Sequence, residues 1–148
     1  MKYRTSRLWF GFALLGGMLG TLFVPPLHAQ RVSDRDVEAM MRNLHEDAKA
    51  FREGFDQDLK KSTIRKTSQE KDARKLAQDF EKQTGEMLDE FRKTKKGDVA
   101  VENTMNSAEE LGRVVGRIQV SPKVSSQWEK VRAELSQVSS AFGIHTSM

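Results

Sequence analysis

"SPKVSSQWEKVRAELSQVSSAFG" runs from Ser121 to Gly143. Its larger apolar residues are Val124, Trp128, Val131, Leu135, Val138 and Phe142, in steps of four, three, four, three and four. That spacing keeps one side of a 3.6-residue helix apolar, whereas a strand would alternate. Ser121 supplies a capping hydroxyl and Pro122 suits a first turn, where its missing N–H costs nothing. Gly143 is a stop. The stretch predicts a helix that must bury one stripe, with Trp128 as its largest apolar contribution.

The same rhythm recurs upstream. Ser33 with Asp36 reads as a capping signal. Val37, Met40, Met41, Leu44, Ala48, Phe51, Phe55 and Leu59 then predict a helix over 34–61. Thr67 with Glu70 opens a second one, over 68–94, whose stripe is Ala73, Leu76, Phe80, Met87, Leu88 and Phe91. Gly97 is the expected left-handed cap behind it. A third runs over 98–118 through Val101, Met105, Ala108, Leu111, Val115 and Ile118. It is the poorest helix former, with Asn103, Asn106, Gly112, Gly116, Val114 and Val115, so tertiary contact must hold it. Gly112 and Gly116 form a small-residue face suited to close helix approach. Gly54 and Gly85 make room for a bulky neighbour such as Phe55 or Trp128.

No single helix can bury its stripe alone. Four with short connections predict an all-α, up-down-up-down four-helix bundle over 30–148. A three-helix arrangement or a dimer of hairpins is the lesser expectation. A monomer or a weak dimer fits this size.

Residues 1–29 read differently. Lys2, Arg4 and Arg7 precede the apolar run Leu8–Val24, and "PPLHAQ" follows. Basic head, apolar middle and small Ala29 describe a cleavable signal peptide, which predicts a periplasmic or secreted protein. An uncleaved anchor is the alternative. It is weakened because the run would extend only about 25 Å as helix, against about 30 Å of hydrocarbon. Three of the chain's 25 basic residues lie in this leader and none of its 21 acidic ones does, so the remainder is nearly neutral. The isoelectric point of about 9.4 is therefore weak support for nucleic-acid binding, which is not expected.

The chain has no cysteine, which excludes disulfides, thiolate chemistry and Cys-x-x-Cys-His haem attachment. Neither Glu-x-x-His pairs nor His-Glu-x-x-His occur, so no metal or cofactor is expected. Non-covalent haem between Met40 or Met41 and His145 is the one cofactor alternative, within a broader reading as a small-ligand carrier with a core cavity. The acids Asp47, Asp56, Asp58, Glu109 and Glu110 lie beside the stripes and read as solvated surface. No nucleophile motif or phosphate loop accompanies them, so an enzyme is not expected. His45 borders the core or faces solvent.

The remaining candidate is the first hairpin tip. The first two helices are longer than the last two, which predicts an overhang of roughly 10 Å at that end. It would present Leu59, Lys60, Lys61, Ile64, Arg65 and Lys66 to an envelope protein or an anionic surface component. "RKTKK" (Arg92–Lys96) is a second basic cluster. Both stand at helix ends, where the macrodipole alone can account for positive charge.

The stretches Leu76–Phe91 and Ser121–Phe142 resemble small exported helical-bundle proteins of soil bacteria. The resemblance implies a helical fold and an envelope or secreted location, and it carries no activity. A periplasmic chaperone-like role is a further alternative, although the Leu-Thr-x-x-Gln stretches of envelope stress chaperones are missing.

Overall fold

A computed structural model describes residues 32–144. The leader and His145 lie outside the described residues. Four helices follow one another: α1 (Asp34–Leu59), α2 (Ser68–Thr94), α3 (Asp98–Arg117) and α4 (Pro122–Ala141). No strand occurs among the described residues, and none of these helices is long and apolar enough to cross a membrane.

The capping expectations hold at three starts. Ser33, Thr67 and Ser121 each accept a hydrogen bond from the backbone N–H three residues on. Glu70 adds a variation: its carboxylate accepts from the Lys66 N–H, one residue before the cap. Gly97 does not act as the left-handed cap of α2. Lys95 takes that position with φ 57°, while Gly97 has φ −161° and becomes the N-cap of α3. Lys95 bears the left-handed backbone, a conformation that L side chains resist. Its ammonium lies 5.2 Å from the Phe91 ring centroid and 3.7 Å from Glu38. Gly97 is needed for a different reason, since a Cβ there would come within 3.0 Å of Phe142 Cζ.

α1 runs antiparallel to both neighbours. Its pairs with α2 descend in order, Glu38 to Arg92, His45 to Thr84, Arg52 to Glu81 and Asp56 to Arg74. Those with α4 descend likewise, Asp47 to Lys130, Phe51 to Trp128 and Asp58 to Ser121. α2 packs on α3, and α3 returns to α4 to complete a four-helix bundle. The four predicted stripes meet inside. Phe51, Phe55, Phe80, Met41, Leu44, Leu111 and Leu135 are fully buried. Trp128 sits with its ring centroid 5.0 Å from that of Phe51 and 5.9 Å from that of Phe80. The three buried polar residues each donate to a carbonyl of their own helix: Thr84 to Glu81, Thr104 to Ala100 and Ser139 to Ser136.

The seams are unequal. α1 meets α2 and α4 extensively, and α2 meets α3 nearly as well, but α3 and α4 touch far less. The cause is in the sequence of α3. Gly112 and Gly116 occupy its α4 side and offer no side chain to close the gap. Gly112 does approach α4, with its Cβ position 3.4 Å from Trp128 Cζ2, but nothing lies within 4 Å of a Cβ at Gly116. The expected two-glycine contact is thus a one-glycine contact. Gly54 and Gly85 face neither Phe55 nor Trp128. They face Gln127 with Val124, and the His45 ring.

Candidate functional site

The loop from Lys60 to Thr67 joins α1 to α2 by a run of turns. Ser62 Oγ donates to the Leu59 carbonyl, Arg65 N–H to the Ser62 carbonyl, and Thr67 N–H to the Ile64 carbonyl. These bonds fold the loop back over the bundle end. Leu59 is fully buried and belongs to the core, and Ile64 is half-buried against it. The expected presentation of Leu59 and Ile64 to a partner is therefore not found. Asp58 Oδ2 accepts from the Ser121 N–H at 2.7 Å, which sets the start of α4 level with the last turn of α1. At the other end of the bundle Phe142, just past α4, packs edge-on to the Phe91 ring of α2 at 5.9 Å.

What the tip does present is charge. Lys60, Lys61, Arg65 and Lys66 are all exposed, and none lies within ion-pair distance of a carboxylate among the described residues. The nearby acids are engaged elsewhere. Asp56 stands 3.5 Å from both Arg52 and Arg74. Glu70 accepts from the Lys66 backbone and pairs with Arg74 at 2.7 Å, and these contacts hold its carboxyl below the usual range. Asp58 is bound to Ser121. Lys71 and Lys123 are also exposed, at the neighbouring helix starts.

The helix dipole accounts for only part of this. Lys60 caps the carbonyl end of α1, where a cation is favoured. Arg65 and Lys66 immediately precede Thr67, the N-cap of α2, where the dipole is positive and a cation is disfavoured. Lys66 also has φ 64°, outside the usual range for a side-chain-bearing residue. The second cluster, Arg92–Lys96, differs: Arg92 binds Glu38 at 3.0 Å and Lys95 lies 3.7 Å from the same carboxylate. That cluster serves the α1–α2 seam.

His45 is half-buried between α1 and α2, with Nδ1 3.0 Å from Thr84 Oγ1. Because the Thr84 hydroxyl donates to the Glu81 carbonyl, the imidazole N–H is the donor in this pair. Met41 is fully buried in the core, which commits it to packing. No group of three His, Cys, Asp or Glu is arranged to hold a metal among the described residues.

One cluster was not legible in the sequence. Asp47 of α1 meets Lys130 of α4 at 2.7 Å, with Glu134 one turn further on. Burial first, and the Asp47 carboxylate second, push Glu134 up to about 7 against the opposing pull of Lys130. Burial also works against the Asp47 charge, but Lys130 and the protonated Glu134 outweigh it and lower that carboxyl. The Lys130–Glu134 spacing was visible as an i,i+4 pair. The facing acid comes from a helix more than 80 residues away and gave no local signal.

No family model, curated protein or solved structure matches the chain.

Proposed function

We propose that this is an exported, non-enzymatic helical binding module that docks through its α1–α2 loop end onto an anionic component of the cell envelope. The observation that carries the reading is the placement of Arg65 and Lys66. They are exposed, form no ion pair among the described residues and stand at the end of α2 where the helix dipole opposes them; Arg65 offsets this in part through its attraction to Glu70, and Lys66 has no such offset. Lys60 and Lys61 extend the same surface, with Ile64 seating the loop between them. The basic head and apolar run of residues 1–29 support export of the protein. Nearly neutral overall charge beyond that leader makes a local cation cluster a site-specific attraction and not a general one.

Sedimentation with vesicles of anionic phospholipid tests the reading, with zwitterionic vesicles as the control. Wild type should sediment with the anionic vesicles at low salt and be released at about 0.5 M salt, where screening is nearly complete over a few ångströms. Arg65→Gln with Lys66→Gln should lose most of that binding. The same double change should leave stability unchanged or raise it by about 0.3–1 kcal/mol, because it removes two cations from a helix N-terminus. Equal recovery of wild type and variant would refute the docking surface.

A further inference from the structure

The α3–α4 seam holds a groove whose lining includes no residue of the α1–α2 loop. Grooves of about 360 and 440 Å³ lie at the α1–α4 and α2–α3 seams, and this seam holds a larger open one of about 610 Å³. That volume is in the range of small-molecule sites. Its α3 wall is Ala108, Gly112 and Gly116, and its floor is the edge of Trp128. The groove exists because the glycines supply no side chain.

Small residues alone would be a packing gap. Trp128 makes this one chemically specific. The residue is only 4% exposed, yet it turns the Cζ2 and Nε1 edge of its ring toward Gly112. Its N–H reaches no acceptor among the described residues. The N–H opens onto the groove, so it is a donor free to meet an acceptor there. The rim gives the sign of that acceptor. Arg113 on the α3 wall lies within ion-pair distance of no carboxylate among the described residues. Arg132 on the α4 wall is paired with Glu129 at 3.4 Å, which neutralises both. Glu109, one turn before Arg113, also lines this wall, so an anionic group has to sit on the Arg113 side, away from it.

We propose that the groove binds a small amphipathic carboxylic acid. Its apolar body lies along Ala108, Gly112 and Gly116, and its carboxylate is taken by the Trp128 N–H and the Arg113 guanidinium. The exposed apolar side chains of the bundle argue against a large protein face here. Val32 and Val99 are the large hydrophobic residues exposed among those described, and neither lines this groove.

The test uses the full chain carrying Trp9→Phe, which leaves Trp128 as the one tryptophan. Decanoate should shift its emission in a saturable way. Gly112→Leu should abolish the shift. Its first carbon would meet the indole at 3.4 Å, and an unchanged thermal midpoint checks that the variant keeps the fold. Arg113→Gln should weaken decanoate by about tenfold, the loss of one charge-assisted contact, and leave decanol unaffected. No saturable shift, equal affinity for decanoate and decanol in wild type, or full binding by Gly112→Leu would overturn the assignment. So would a dimer that Gly112→Leu dissolves without any response to decanoate, since a second copy would then own the groove.

Discussion

Replacing Trp128 by alanine removes the ring on which α1, α2 and α4 converge. The indole is 4% exposed and lies 5.0 Å from the Phe51 ring and 5.9 Å from the Phe80 ring, centroid to centroid. Truncating a buried aromatic to alanine costs about 3–5 kcal/mol in transfer energy plus residual cavity. One edge of this ring faces the α3–α4 groove, so water can enter the space left behind and soften the cavity part. The expected loss is therefore near the lower end, about 3 kcal/mol. Urea unfolding followed by far-ultraviolet circular dichroism measures it. With a slope of about 1–2 kcal/mol per molar urea, the midpoint should fall by about 1.5–3 M. Trp128→Phe keeps a ring against Phe51 and should lose about half as much. An unchanged midpoint in Trp128→Ala, with an unchanged slope, would place the ring outside the core and refute the packing of the bundle described here.

Two glycine substitutions should move stability in opposite directions. Gly97→Ala should destabilise by about 1–3 kcal/mol, because its Cβ would press on Phe142 Cζ at 3.0 Å and Cε1 at 3.3 Å inside a packed corner. Gly116→Ala meets nothing within 4 Å and sits in a helix, so it should stabilise by up to about 1 kcal/mol; thermal unfolding of both variants distinguishes them in one experiment. Glu134 predicts a pH dependence. Its carboxyl is raised from 4.5 to about 7 in the fold, so its contribution is complete below 4.5 and is lost as pH rises through 7. Asp47, whose carboxyl is lowered, acts in the opposite sense below its ordinary range. Glu134→Gln should therefore flatten the fall in midpoint between pH 5 and 8, and an identical profile in wild type and variant would refute the coupling.

Helix boundaries were largely legible because their causes are local. The predicted spans of α2 and α4 agree with the structure to within a residue, and α1 ends two residues early, at Leu59. Ser33, Thr67 and Ser121 could be identified as caps because a cap acts on the amide three residues away. At the loop end the local sequence shows the charges but not which apolar side chains turn inward. Lys60, Lys61, Arg65 and Lys66 are exposed, but Leu59 is buried and Ile64 turns inward. Helix lengths do not say how the ends of α1 and α4 align. The hydrogen bond from Ser121 to Asp58 decides that, and it joins residues 63 apart.

The sequence by itself determined that four amphipathic helices form and which stripe each one buries, since periodicity and capping act within a few turns of chain. Only the tertiary structure decided which helices would be close neighbours. It gave the left-handed turn to Lys95 and kept Gly97 beneath Phe142. It set His45 against Gly85, brought Asp47 to Glu134, and left the seam beside Trp128 open. Each of those outcomes depends on side chains that meet across helices, where shape and charge are matched between residues that the chain holds far apart.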